Sequence, residues 1–408
     1  MSIPSPLAPA SFPDLPEISG VTRRIARAQY KAWDRCDLTY IELAEGTAVA
    51  GVTTRNICCS SEVETCRDGI KRGTARALIV NAGNSNAFTG YRGREAVEGI
   101  MAQVASHLGC EAADIFVCST GVIGVPLPQD KARDGLNNVF IAAPCSWLDA
   151  AQTICTTDTF AKGAHASALI GGQRVEVVGI AKGSGMIAPD MATMLSFVFT
   201  DAAVAPALLQ TMISSANDGT FNCITVDGDT STSDTLLAFA TGAAGNTPLT
   251  RMADAGAEAL YAAIQSVCRD LAQQIVRDGE GAQKFITIAV SGAVSDESAR
   301  RIGLAIGNSP LVKTAIAGGD ANWGRVVMAV GKAGETADRD RLSISFGETQ
   351  VARMGMPAGG YDEAPVAAHL AGREVRIGVD IGLGEGRATI WTCDLTHGYI
   401  SINADYRS

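Results

Sequence analysis

Two residues near the middle of the chain could do chemistry. They are Lys182 and Thr193, in the run Lys182-Gly183-Ser184-Gly185-Met186-Ile187-Ala188-Pro189-Asp190-Met191-Ala192-Thr193-Met194-Leu195. A threonine hydroxyl can attack the carbonyl of the residue before it where the turn is strained and an oxyanion is stabilised nearby. At Ala192-Thr193, an N-to-O acyl shift followed by hydrolysis would cut the chain and free Thr193 as a new N-terminus. The freed amino group would then serve as base for the Thr193 hydroxyl, a known way to activate a weak nucleophile. Small Ala192 leaves its carbonyl accessible, and Gly183 and Gly185 permit strained backbone angles. The same run also reads as a plain glycine-rich turn between strands at 174–180 and 195–201, with Pro189 setting its direction. A dinucleotide fingerprint at Gly183, Gly185 and Ala188 is rejected, because Pro189 and a β-like run follow where a helix is needed.

Other polar clusters stand at the ends of predicted strands. Asn81 to Ala87 is rich in asparagine and reads equally as turn chemistry or as a ligand-facing loop. Thr120-Gly121 could present a hydroxyl and a backbone N–H to a developing negative charge, or could be an ordinary strand-to-helix turn. Thr156, Thr157 and Thr159 would line a polar pocket, or reflect β-propensity alone. The acidic run 227–235 lacks EF-hand spacing and reads as a satisfied polar turn that caps the next element. Glu280, between Gly279 and Gly281, has room to act as an acid, a base or an ammonium ligand, or to be a solvated loop residue.

The elements that must position these residues are set by a chain of 408 residues, enough for a sizeable core and two sub-domains. The formal net charge of −10 argues against nucleic acid, and four scattered histidines argue against a metal-rich site. Eleven cysteines without a C-x-x-C pair read as reduced thiols in a cytosolic protein. Residues 1–20 lack the pattern of a secretory signal, and no run of about 18 apolar residues suggests a membrane span. Apolar spacing predicts helices over 61–72, 93–108, 146–155, 254–277 and 309–317, with Asp201 capping another over 202–217. Strands are expected over 20–27, 38–52, 75–80, 114–119, 221–226, 285–290 and 342–346. Two more, 374–381 and 389–394, are expected to form a hairpin, and the alternating tail, 394–408, to be an ordered last strand. Long β runs flanking apolar helices suggest helices packed on sheets in layers.

Taken in order, the blocks 81–90, 119–124, 156–163, 182–195, 227–234, 278–285, 323–325 and 394–408 resemble the ornithine acetyltransferase (glutamate N-acetyltransferase) family over nearly the whole chain. The resemblance implies an α/β fold with a layered α-β-β-α arrangement of the ornithine acetyltransferase/DmpA-like type. It implies self-cleavage at Ala192/Thr193 into an alpha chain, 1–192, and a beta chain, 193–408, that share one sheet system, with two of each in the assembly. Thr193 would be the nucleophile and Thr120 and Gly121 the oxyanion hole. Lys182 would bind the substrate carboxylate, and Glu280 an ammonium group or a proton in transfer. Thr156, Asn403 and Ser408 match the remaining substrate contacts. Acetyl would pass from N2-acetyl-L-ornithine to L-glutamate in a ping-pong cycle, in the cytoplasm. No metal or other cofactor is required, and acetyl-CoA is a possible further donor. Asp190, Ser233 and Glu64-Thr65 depart from residues frequent in the family.

Two other classes compete. An N-terminal-nucleophile amidase or aminopeptidase of related fold would pass the acyl group to water, and the cleavage segment fits it equally. A scaffold that never cuts itself is opposed by the presence of Ala192, Thr193, Thr120 and Glu280.

Overall fold

The structure, a computed structural model, describes residues 3–188 and 194–404. The first stretch forms β1 (Val21–Ala26), β2 (Leu38–Leu43), β3 (Ala48–Thr53), α1 (Ser61–Arg72), β4 (Ala77–Asn84), α2 (Gly90–Leu108), β5 (Ile115–Val122), α3 (Gln129–Phe140), α4 (Trp147–Thr153), β6 (Lys162–Ile170) and β7 (Gln173–Lys182). The second opens with β8 (Leu195–Thr200), α5 (Pro206–Asp218), β9 (Thr235–Ala240), α6 (Ala257–Arg277) and β10 (Phe285–Ala293). It continues with α7 (Asp296–Gly307), α8 (Pro310–Ala317), α9 (Trp323–Gly331), β11 (Ser343–Phe346), β12 (Thr349–Arg353) and β13 (Met356–Pro357). It closes with α10 (Glu363–Ala371), β14 (Glu374–Asp380), β15 (Gly386–Cys393) and α11 (His397–Ala404).

Among the described residues the strands make three sheets, ordered β1-β2-β4-β5, β3-β9-β8-β7-β6 and β13-β12-β11-β14-β10-β15. Period-two alternation assigns each face of the middle sheet to a different layer. Val178, Phe197, Phe199, Leu237 and Phe239 pack against Leu78, Val80 and Phe116 of the first sheet. Val177, Val198, Leu236 and Ala238 point the other way, onto α5 and α6. On the far side of the first sheet lie α2 and α3, through Val97, Ile100, Val104, Leu136 and Val139. The order is therefore helix, sheet, sheet, helix, the layered arrangement that the family resemblance implies. Aromatic rings join the two sheets, with Phe116 edge-on to Phe239 at 6.0 Å and Phe239 stacked on Phe199 at 5.3 Å. The third sheet and α7–α10 continue the core that α5 and α6 begin.

Several elements differ from expectation. The predicted strand 38–52 breaks near Gly46, whose φ of 80° suits glycine, so that β2 and β3 enter different sheets. Residues 81–84 are not a separate turn but the end of β4, with Asn81, Ala82 and Gly83 paired to Ser119, Thr120 and Gly121. Asp201 caps no helix. It accepts the Glu176 N–H at 2.9 Å, and α5 starts only at Pro206, whose missing N–H and fixed φ suit a first helical position. Residues 221–226 make a short 3-10 turn at Phe221–Cys223 and one bridge from Ile224 to Trp391, because a short buried apolar run does not by its pattern distinguish strand from turn.

The expected hairpin of β14 and β15 is absent, since β10 lies between them, parallel to β14 and antiparallel to β15. The 382–386 loop crosses the end of β10 instead, where the Gly292 carbonyl accepts the Leu383 and Gly384 N–H groups. The tail is helical up to Ala404 rather than a strand. Asp394 accepts the N–H groups of Gln283 and Lys284, which turns the chain off the sheet, and Gly398 packs over Gly281. Among the described residues no helix is long and apolar enough to cross a membrane.

Candidate active site

Stretches remote in sequence converge on a cavity of about 180 Å³. Its walls include Thr120, Gly121, Thr156, Lys182, Glu280 and Asn403, all singled out from sequence. Met194 and Leu195, which follow Thr193, line it as well. Ala192, Thr193 and Ser408 lie outside the described residues. A larger open groove of about 1170 Å³ runs over the third sheet and holds none of the residues singled out for chemistry.

Each wall has a structural cause. Thr120 and Gly121 end β5 against the end of β4, and Gly121 has φ 127°. A Cβ there would lie 2.7 Å from the Asn84 nitrogen, so only glycine lets the two backbones approach. Lys182 is the last residue of β7, 5% exposed, and makes no ion pair among the described residues. Glu280 stands on the turn between α6 and β10, where its N–H donates to the Ser184 carbonyl at 3.2 Å. The Asn403 amide of α11 donates to Glu280 Oε2 at 2.7 Å, so the helical tail brings this residue to the cavity. Gly185 leaves space that the Glu280 carboxylate fills, since a Cβ there would sit 2.6 Å from it. Thr156 and Thr157 both face the cavity, and the geometry does not separate them.

Beneath these walls lies an ionic cluster that the sequence reading missed. Lys162 donates to Asp158 at 2.7 Å and to Asp278 at 2.5 Å, with all three side chains fully buried. Asp158 also accepts the N–H groups of Thr156 and Gly183, at 3.0 and 2.7 Å. Asp278 accepts the Thr159 N–H and hydroxyl, and its backbone carbonyl accepts the Ser184 hydroxyl at 2.6 Å. One ammonium thus ties together the segments that carry Thr156, Lys182 and Glu280. Burial pushes the Asp158 carboxyl up, but Lys162 and Lys182 outweigh it and hold the group well below the usual range. At Asp278 burial wins and the carboxyl is raised. Lys162 is raised, its burial outweighed by the two carboxylates. The one available sequence signal was the spacing of Asp158 and Lys162 at a strand start.

The acidic run 227–235 does not cap the next element, which is the strand β9. It reaches back to the central turn. Asp227 accepts the N–H groups of Met186 and Ile187, at 2.6 and 2.8 Å. Asp234 accepts that of Met194 at 2.9 Å, while its Oδ2 has no hydrogen-bond partner among the described residues. Burial pushes the Asp234 carboxyl well above its usual value, and Lys182 offsets part of the rise. A cation, an anion and several hydroxyls around so small a space suit a zwitterionic amino acid. Larger ligands occupy pockets of roughly 300–1,000 Å³.

Comparison with known proteins adds to this geometry. The model of the ArgJ family matches residues 23–408. The arginine biosynthesis bifunctional protein ArgJ of Zymomonas mobilis is 63% identical over 404 residues, covering 99% of each chain. That of Bradyrhizobium diazoefficiens is 53% identical over 408 residues, again covering 99% of each. Among solved structures, the arginine biosynthesis bifunctional protein argJ of Bacillus halodurans is 42% identical with a TM-score of 0.50. The match covers 52% of this chain and 98% of that one.

Proposed function

The chain belongs to the ArgJ family, and on that footing we propose that it transfers the acetyl group of N2-acetyl-L-ornithine to L-glutamate through an acetyl-Thr193 intermediate. The products are L-ornithine and N-acetyl-L-glutamate, and the enzyme is an acyltransferase of arginine biosynthesis. One observation carries the reading. Thr120, Gly121, Lys182, Glu280 and Asn403 meet around one small cavity that the two residues after Thr193 also line.

The chemistry runs in two halves. First, Thr193 Oγ attacks the Ala192 carbonyl, the peptide nitrogen leaves as an amine, and water hydrolyses the resulting ester. The chain becomes 1–192 and 193–408. The solved Bacillus halodurans chain, matched almost completely yet covering about half of this one, has the proportion of one piece of such a cut. Next, the Thr193 amine takes the hydroxyl proton as Oγ attacks the acetyl carbon. Thr120 and Gly121 face the oxyanion that forms. The proton passes to the departing ornithine amine. Glutamate then repeats the attack through its own amine, and the same oxyanion site serves both halves. Lys182 meets the substrate carboxylate, Glu280 the ammonium, and Asn403 holds the Glu280 carboxylate. Thr156 and Ser408 complete the substrate contacts.

The exchange calls for no resident cofactor. Acetyl-CoA in place of acetylornithine is the second donor we propose, in line with the bifunctional naming of the relatives. We place the enzyme in the cytoplasm as an assembly of two alpha and two beta chains.

The test joins mass to activity. Denatured wild-type protein should give two masses meeting at Ala192/Thr193, and Thr193→Ala one uncut mass with no acetyl exchange. A single uncut wild-type chain, or hydrolysis of acetylornithine that glutamate does not redirect, would overturn the proposal. The second outcome would favour the amidase.

A further inference from the structure

We propose that Glu62, a residue outside the cavity, is a neutral carboxylic acid that positions the Thr120-Gly121 oxyanion site through Ser119. The inference rests on the acetyl-transfer reading of that site. The Ser119 hydroxyl contacts two oxygens, Glu62 Oε1 and Asn81 Oδ1, the second at 2.6 Å. A serine hydroxyl has one proton to donate. The orientation of the Asn81 amide is fixed, because its Nδ2 donates to the Asn84 carbonyl at 2.8 Å. Turning it over would set two oxygens against each other. Asn81 Oδ1 is therefore an acceptor and takes the serine proton. The remaining contact, oxygen against oxygen, needs a proton from Glu62.

The surroundings agree. Glu62 is 2% exposed and its Oε2 has no hydrogen-bond partner among the described residues, which an ionised carboxylate would tolerate poorly. No cation pairs with it among the described residues. Burial pushes its carboxyl up, and the polar groups around it, Ser119 first, offset part of the rise.

The relay thus runs from Glu62 O–H to Ser119 Oγ, from Ser119 O–H to Asn81 Oδ1, and from Asn81 N–H to the Asn84 carbonyl. Its members are buried, with Ser119 at 2% and Asn81 at 0%, and of them only Ser119 reaches the cavity wall. It begins in the first turn of α1, crosses β5 one residue before Thr120, and ends at the irregularity of β4 against which Gly121 packs. Both strand ends that shape the oxyanion site are fixed by one chain of hydrogen bonds. A neutral acid also keeps a negative charge away from a site built to hold one.

The test compares two replacements of equal length. Glu62→Gln keeps a donor toward Ser119, and Glu62→Met removes it. Removing one oxyanion donor outright lowers kcat about 10²–10³-fold. Because Glu62 acts only by positioning, we expect Glu62→Met to lose roughly tenfold or more in kcat, KM for acetylornithine to change less than about twofold, and Glu62→Gln to stay within about threefold of wild type. Equal loss in both variants, or full kcat in Glu62→Met, overturns the proposal. If Glu62→Met does not fold, Ser119→Ala must show the same kcat loss, and wild-type kcat there overturns it instead. Wild-type protein assayed alongside keeps the two failures apart. No acetyl exchange in the wild type refutes the transferase reading, whereas an active wild type with the wrong variant pattern refutes the relay alone.

Discussion

Gly185 shows how closely single residues set this site. A methyl group there would stand 2.6 Å from the Glu280 carboxylate. The carboxylate ends a flexible side chain, so it would move rather than the backbone, and its bond from Asn403 would lengthen. Gly185→Ala should therefore leave stability within about 1 kcal/mol of wild type. A hydrogen bond to a charged group contributes about 1.5–3 kcal/mol, so KM for acetylornithine should rise about tenfold or more. Steady-state kinetics beside urea unfolding tests this. An unchanged KM would remove Glu280 from substrate binding. Thr120, Lys182 and Glu280 were noticed in the sequence as reactive types beside glycine, but only the family resemblance gave them roles, and the structure brings them to one cavity. Lys162 was not noticed. Its neighbours in sequence give no hint that Asp278, far along the chain, neutralises it.

At the scale of elements, the Lys162 cluster joins the start of β6 to the end of α6. Breaking a buried pair by removing one partner costs about 3–5 kcal/mol. Lys162→Met should lose that much at pH 8, measured by urea denaturation. The sign with pH follows from the shifts. In the wild type the depressed Asp158 carboxyl contributes stability above the ordinary carboxylate range, and that contribution is lost as pH falls through its lowered value. In Lys162→Met the two carboxylates lose this cation and, being buried, move upward. The folded state then takes up protons first, and acid favours it. The deficit relative to wild type should shrink between pH 8 and pH 5. A deficit that does not vary with pH would mean that the cluster is not ionic.

Elements were legible where pattern is local. Ser61–Arg72 was found with its bounds, helped by acids in its first turn, bases in its last and Gly73 at its end. The placing of β10 between β14 and β15 was not legible, because neighbours in a sheet are chosen by long-range packing that no local period records. The tail misled for a related reason. Its alternation suits a strand, but Asp394 turns the chain off the sheet, and the tail winds into a helix over Gly281 instead.

At the scale of the whole molecule, the middle sheet takes β3, β6 and β7 from before Thr193 and β8 and β9 from after it. β7 and β8 are paired neighbours, and β3 pairs with β9, so the segments before and after Thr193 interleave. The layered order was legible from apolar helices flanking long β runs, whereas this interleaving needed the register. Segments 1–192 and 193–408 produced separately should be insoluble or inactive on mixing, since each would expose unpaired strands. Cut wild type should run as one species in gel filtration without denaturant. Active enzyme from separately purified halves would contradict this. The interleaving also sets an order of events. In the proposed self-cleavage, the sheet that pairs β7 with β8 exists only once the segments on both sides of Thr193 have folded, so folding would precede the cut, and the cut the nucleophile. A misfolded copy would then never acquire its catalytic amine. Under that proposal, activity would be a certificate of correct folding that each molecule issues to itself.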